Sequence, residues 1–226
     1  MPGYCEFCLT ATAAGSPWCQ ACYRGLAWNH TACYQCAEPL GPNISVGTSS
    51  FRRRCGHCLL SAPQFDTADV PLLYQGAVGA LLKAFKFQAS PRAGNLLLEL
   101  FLSGRKEGGL PDALLPVPLH MSRARERGFN QAVWLTEKLA GEYRLPLIHA
   151  ERLHSTQSQR AFNRRQRFKN LQGAFYLEAP LPLHVTIVDD VMTTGATVNA
   201  LAAAAKQAGA ERVDVWAIAR TPLQQA

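Results

Sequence analysis

Two sets of residues in this chain have types and spacings that can do chemistry. The first is eight cysteines in four Cys-x-x-Cys pairs, "CEFC" (5–8), "CQAC" (19–22), "CYQC" (33–36) and "CGHC" (55–58). Two intervening residues let both thiolates of a pair face one cation, and two pairs complete a tetrahedral all-sulfur site that suits zinc. Cys5, Cys8, Cys19, Cys22, Cys33, Cys36, Cys55 and Cys58 thus supply ligands for two structural zinc ions, with no position left open for water. The second set is "VTIVDDVMTTGAT", Val185–Thr197. Here an apolar run ends in two acids, Asp189 and Asp190, followed by Thr193, Thr194, Gly195 and Thr197 around a tight turn. Small hydroxyls and backbone N–H groups at such a turn can ring a phosphate. Vicinal hydroxyls of a sugar are natural partners for the carboxylates, so one ligand, a phosphorylated ribose, answers both halves.

The gaps between cysteine pairs are 10, 10 and 18 residues, the lengths of short hairpins or loops. Sequential pairing gives a double zinc ribbon and is favoured; an interleaved cross-brace is the alternative. A four-disulfide secreted module is disfavoured, because adjacent-turn pairs make poor disulfide frameworks and "MPGYCEFC" lacks the basic and apolar regions of a signal peptide. The expected location is the cytoplasm. His57 lies inside the last knuckle and is expected to face solvent. Arg52, Arg53 and Arg54 form a basic run before that knuckle, a candidate contact for a nucleic-acid backbone. Trp18, Tyr23, Trp28 and Tyr34 could stack on bases or form the scant core of the ribbon.

All eight cysteines lie before residue 59, so the chain divides into a module at 1–62 and a second unit at 63–226. In the second unit, "ADVPLLY" (68–74) reads as a short strand and turn, and helical spacing marks 76–87, with Lys83 and Lys86 among its apolar residues, and 95–102. "GRKEGGLP" (104–111) reads as a loop and "ALLPVP" (113–118) as a buried strand. A helix begins at Gln131, with Ala132, Leu135 and Leu139 on one face and Gly141 at its end. Residues 146–153 read as a strand and 184–188 as another, followed by an alanine-rich helix over 195–208 that Gly209 ends. "RVDVWAIA" (212–219) is apolar on both faces, as a buried parallel strand should be. Alternating strands and helices predict an α/β, doubly wound parallel sheet, whose ligands sit beyond the carboxyl ends of the strands.

A net charge of +7 and a pI near 9.1 point to an anionic ligand or polyanionic partner. Mean hydropathy is near zero and no apolar run is long enough to span a bilayer, so no membrane insertion is expected. A receiver domain would place its acids near its start, and only 36 residues follow Asp190. A Walker site needs Gly-x-x-x-x-Gly-Lys-Ser/Thr, which is absent from the sequence.

Thirteen contiguous positions over 185–197 match the 5-phosphoribosyl pyrophosphate (PRPP) motif of type I phosphoribosyltransferases. With the four cysteine pairs, "PVPLHMSRARERGFNQ" and "RFKNLQGAF", the chain resembles, almost end to end, the ComF/GntX family of competence-associated or DNA-utilisation proteins. The resemblance implies a double zinc ribbon joined to a type I phosphoribosyltransferase-like domain. It implies a PRPP site over Asp189, Asp190, Val191, Met192, Thr193, Thr194, Gly195, Ala196 and Thr197, with the acids on the ribose hydroxyls and the threonines on the 5′-phosphate. It places pyrophosphate at Arg127, Gly128, Asn130 and Gln131, with Mg²⁺ carried mainly by PRPP. A mobile lid is implied over 154–170, led by Arg160, Arg164, Arg165, Arg167 and Lys169. Asp190 is the candidate catalytic base. No hood-like segment follows the last strand, so acceptor selection is expected from residues 63–110 or the cysteine module.

Three functional classes remain at this level: a Mg²⁺-dependent transfer of phosphoribose to a nitrogenous acceptor, an accessory module binding single-stranded DNA beside a DNA-uptake helicase, and a PRPP-sensing transcriptional regulator. The last is ranked lowest, since no helix-turn-helix is legible.

Overall fold

The computed structural model describes residues 3–13, 15–41, 53–106, 108–119, 128–153 and 173–223. Arg52, Arg127 and the lid residues Arg160, Arg164, Arg165, Arg167 and Lys169 lie outside them. Among the described residues, no helix is long and apolar enough to cross a membrane.

The N-terminal segment is mostly turns. A two-residue ladder pairs β1 (Gly3–Tyr4) with β2 (Ala11–Thr12), and each short helix starts on a cysteine cap: α1 (Gln20–Arg24) on Cys19 and α2 (Gly56–Leu60) on Cys55. A segment this short in regular structure cannot build its own core. Its aromatics instead pack outward onto the following elements, β3 (Thr67–Asp69), β4 (Leu72–Leu73), α3 (Gly76–Phe87) and α4 (Pro91–Gly104). Trp28 bridges to Leu72, and Asn29 is buried and donates to the carbonyls of Ala37 and Val70 at 2.9 and 3.1 Å.

Next come β5 (Ala113–Pro116), α5 (Gln131–Tyr143), β6 (Glu151–Arg152), β7 (Phe175–Tyr176), β8 (His184–Met192), α6 (Ala196–Gln207) and β9 (Arg212–Arg220). The main sheet runs β3-β9-β8-β5, with β4 continuing along the β9 edge beyond β3, and every pairing is parallel. Pro71, which has no N–H to give a ladder, separates β3 from β4. Alternate residues of β8 and β9 feed two cores. Val185, Ile187, Val213 and Val215 meet Val198, Leu201 and Ala205 of α6 on one face. Val188, Trp216 and Ile218 meet α3, α4 and α5 on the other, through Leu82, Phe101 and Leu135 among others. Helices on both faces make the expected doubly wound sheet.

Four boundaries differ from the sequence expectations. Strand β8 continues through Asp189, Asp190, Val191 and Met192, because Val191 and Met192 still pair with Ala219 and Arg220. Helix α4 starts at Pro91, capped by Ser90 accepting from Ala93 N–H at 3.3 Å, and runs on to Gly104, into the stretch read as a loop. Helix α5 passes Gly141 and stops at Tyr143, whose ring lies 5.7 Å from Trp216, so tertiary packing keeps the last turn and Arg144 adopts the left-handed cap at φ 54°. The strand read at 146–153 shrinks to β6: Leu147 makes only a lone bridge to Leu114, beside Pro146, which lacks a donor.

Candidate functional site

The cysteines form two groups in sequential order, Cys5/Cys8/Cys19/Cys22 and Cys33/Cys36/Cys55/Cys58, each with its four sulfurs within 4.8 Å of one another. This is the double-ribbon pairing; the cross-brace is excluded. All eight are free thiols. The sulfur separations of 3.7 Å for Cys8–Cys19 and 3.5 Å for Cys36–Cys55 lie close to the edge of about 3.8 Å in a tetrahedron with metal–sulfur bonds of about 2.3 Å. The donor set therefore fits structural zinc. Without a cation the thiols share protons unevenly. The hydrogen bond with Cys36 draws Cys33 down to about 4 and pushes Cys36 up, while burial pushes Cys58 up to about 12. A divalent ion removes that conflict by turning all four into thiolates.

The loop site lies at the carboxyl edge of the sheet. Asp189 and Asp190 occupy successive positions near the end of β8, and Thr193, Thr194 and Gly195 form the turn into α6, which begins at Ala196 with Thr197 in its first turn. Gly195 sits at the N-cap with φ 78°, a left-handed conformation that glycine adopts without cost. Thr194 Oγ1 accepts from Ala196 N–H at 3.4 Å.

Two neighbouring acids beside an anion-holding turn would repel the anion unless compensated. Lys86 supplies the compensation: its Nζ lies 3.0 Å from Asp190, with both side chains largely buried. Asp189 turns back to accept from Asp190 N–H at 2.9 Å. Lys86 was only one of two lysines within an apolar helix at the sequence level. The signal was its spacing, since it follows Leu82 by four residues and Gly79 by seven, both of which are buried.

Arg220 is the second residue that sequence reasoning missed. It ends β9 and is 1% exposed. Its guanidinium donates to the carbonyls of Met192 at 2.9 Å, Thr193, Thr221 at 2.7 Å and Cys36 at 3.2 Å, and pairs with Glu38 at 2.8 Å. One buried cation thus ties the loop to the second cysteine group.

The other expected residues divide. Asn130 caps α5, accepting from Ala132 and Val133 N–H at 2.9 and 3.4 Å and donating to Val117 C=O at 3.1 Å; Gln131 is buried behind it, and Gly128 is exposed with φ 75°. Asn130 therefore fixes the join between the "PVP" strand end and its helix. Arg54 donates to Tyr34 Oη at 2.7 and 3.0 Å, and Arg53 C=O accepts from Tyr34 N–H at 3.0 Å. Trp18 stacks on Tyr23 at 5.7 Å, Tyr23 meets Trp28 tilted at 4.9 Å, and all three pack on the helical core, which is the core role weighed for them. His57 is exposed, as expected, and lines a cleft of about 510 Å³ between the second cysteine group and the loop, together with Leu60, Phe65, Met192, Thr194 and Asn199.

Comparison with known proteins places this arrangement. The chain is 34% identical to DNA utilization protein YhgH of Escherichia coli O6:H1 over 232 residues, covering 98% of both chains. The chain belongs to the ComF family. Competence protein F of Haemophilus influenzae is a further ComF relative, 32% identical over 183 residues, covering 75% of this chain and 80% of that protein. No protein-family model matches the chain. A solved purine phosphoribosyltransferase from Pyrococcus horikoshii aligns with 58% of this ComF chain and 82% of its own at 16% identity, with a TM-score of 0.34, a likeness too shallow to add to the sheet order seen directly.

Proposed function

We propose that this ComF protein binds PRPP at residues 189–197 and, with Mg²⁺ carried on the pyrophosphate, transfers the phosphoribosyl group to a nitrogenous acceptor. The observation that supports this most is the charge arrangement at the end of β8. Two acids stand beside a glycine-capped, threonine-lined helix start, and Lys86 pairs with Asp190 there. Such a site suits a ligand that brings a diol to Asp189 and Asp190 and an oxyanion to Thr193, Thr194 and Thr197. Asp190, held beside Lys86, then orients the ribose and is the candidate base for an acceptor N–H. Arg127 and Gly128 follow the "PVP" strand, where pyrophosphate would leave. The basic stretch 154–170 would close over it and exclude water. The cysteine groups hold structural zinc, in keeping with work in the reducing cytoplasm.

The test is calorimetric titration of the zinc-loaded protein with PRPP and Mg²⁺, followed by a screen of nucleobases for pyrophosphate release. Wild type is expected to bind, and Asp189→Asn with Asp190→Asn to lose at least about tenfold in affinity, the scale of charge-assisted bonds. Equal binding by wild type and the double variant would sink the site. Tight binding without release on any base would favour the second reading, an accessory role in DNA utilisation, which the relatives' names and the +7 charge favour. There, removing charge at Arg52–Arg54 or Arg164 and Arg165 should weaken single-stranded DNA binding and flatten its salt dependence while PRPP binding survives.

A further inference from the structure

Among the described residues Arg220 is the largest fully buried side chain, and it connects two sites that the sequence keeps far apart. A guanidinium is a planar fork of five donors with no acceptor, so each of its bonds fixes the direction of a partner. On one side Arg220 holds the carbonyls of Met192 and Thr193. In a trans peptide the carbonyl and the following N–H point in opposite directions. Holding these two carbonyls therefore turns the N–H groups of Thr193 and Thr194 to the face away from Arg220, where a phosphate at the turn would meet them. On its other side Arg220 is held by the Glu38 carboxylate and the Cys36 carbonyl. Cys36 is a member of the second cysteine group, and Glu38 lies two residues beyond it. Glu38 is itself steadied by accepting from Leu223 N–H at 2.9 Å.

We propose that Arg220 is a positioning residue that makes the loop's grip on phosphorylated ribose conditional on metal in the second cysteine group. With Cys33, Cys36, Cys55 and Cys58 gathered on one ion, Cys36 C=O and Glu38 stand where they hold the guanidinium, and the guanidinium presents two N–H groups to the ligand. When that ion leaves, the knuckle relaxes, Arg220 loses its fixed partners and the loop carbonyls are free to turn. Linkage requires the reverse as well: ligand on the loop holds the second metal more tightly. Among the described residues the first cysteine group has no such connection: Glu6, Tyr23 and Trp28 around it meet Arg92 and Ser103 of α4 and Leu72 of β4. The inference rests on the ligand reading proposed above.

The experiment uses the full chain carrying two zinc equivalents. Zinc release to a chromophoric chelator is timed with and without saturating PRPP and Mg²⁺, for wild type, Arg220→Lys and Glu38→Gln. Lysine keeps the charge but loses the fork; glutamine keeps the shape at position 38 and serves if the buried arginine proves necessary for folding. In wild type, PRPP is expected to slow release of one equivalent, and one only, by about tenfold, a typical coupling between sites. That protection should vanish in either variant, and the PRPP dissociation constant should rise by a similar factor. A merely structural arginine would lower stability without removing protection of a single equivalent. Bound PRPP that slows neither equivalent, or slows both alike, overturns the coupling, as does full protection in both variants. If wild type fails to bind PRPP at all, the ligand reading falls separately. In that case Arg220→Lys must still speed release of one equivalent, and unchanged release overturns the coupling.

Discussion

The two cysteine groups carry the same four-thiol set in the same Cys-x-x-Cys pairs, and they are attached to the molecule by different physics. The first is partly open to solvent, with Cys8 exposed, and it docks by shape. Trp28 packs against Gly104 and Pro71, Tyr23 Oη meets Ser103 Oγ at 3.2 Å, and Arg92 pairs with Glu6 at the surface. The second is buried in the same apolar cluster as Met192, Ala196 and Val198, and it is tied by charge through Glu38 and Arg220 to the turn after β8. A Cys-x-x-Cys pair therefore announces a metal but not its role; the role follows from what the knuckle touches. Apolar docking can loosen gradually, whereas a buried ion pair is either matched or leaves a charge without a partner.

The largest expected effect comes from breaking one ligand in each group. Cys33→Ser removes a buried ligand, and loss of the second metal leaves Arg220 and Glu38 without fixed positions. A stability loss of about 3–5 kcal/mol is expected, the scale of an opened buried ion pair, together with weakened PRPP binding. Cys8→Ser should also cost one zinc equivalent, but with a smaller drop in melting temperature. Thermal melts alongside metal content by mass spectrometry decide it, and equal losses from the two variants would erase the distinction.

An intermediate effect should isolate the first group's docking. A Cβ built at Gly104 would stand 2.3 Å from Trp28 Cζ3 and 2.8 Å from Pro71 Cβ, so Gly104→Ala forces the indole or Pro71 to move. Overpacking of this kind costs about 1–3 kcal/mol. The loss should appear in denaturant melts while the two-rate pattern of zinc release stays as in wild type. A Gly104→Ala protein that releases its second, buried zinc faster would show that the two groups are not separately anchored.

How much of this was legible beforehand follows from the range of each interaction. The cysteine pairs could be read because ligand spacing is a local constraint; which pairs share an ion stayed open between sequential pairing and a cross-brace, because the fold and not the spacing decides it. Strands 184–188 and 212–219 could be read because a parallel strand buried on both faces is apolar at most positions, even though Thr186 and Asp214 are buried in them as well. The Asp189–Thr197 turn was visible because its parts are contiguous. Lys86 and Arg220 were not, because their partners are distant in sequence. A lysine on the core face of an amphipathic helix and an arginine closing an apolar strand each signal a buried counter-charge without naming it. Helix ends were misjudged where tertiary packing overrode a local cue, as when Tyr143 on Trp216 carried α5 past Gly141. Gly104 looked like the start of a loop, and its packing role under Trp28 became visible only once the cysteine module was docked on α4.

The smallest expected effect tests the seam between the two docking regions. Asp69 closes β3, next to Ala68, whose N–H donates to Tyr34 C=O of the second knuckle at 3.3 Å, and it accepts from Lys106 N–H just beyond α4 at 3.0 Å. Its Oδ1 is buried without a hydrogen-bond partner among the described residues. Burial raises its pKa above the ordinary 3.8, against the opposing pull of Lys106 and Arg105. The folded state therefore binds this proton more tightly than the unfolded chain does. Stability falls as pH rises from the ordinary value through the raised one, and the full cost is present above it. Asp69→Asn removes that cost while keeping an oxygen for Lys106 N–H. The variant should be more stable than wild type at neutral pH by about 0.5 kcal/mol, the scale of a mild substitution, and its advantage should shrink as the solution is acidified. Urea melts at a series of pH values read this directly. An advantage that grows toward acid would mean that the Lys106 and Arg105 charges, and not burial, govern Asp69 and hold that seam together.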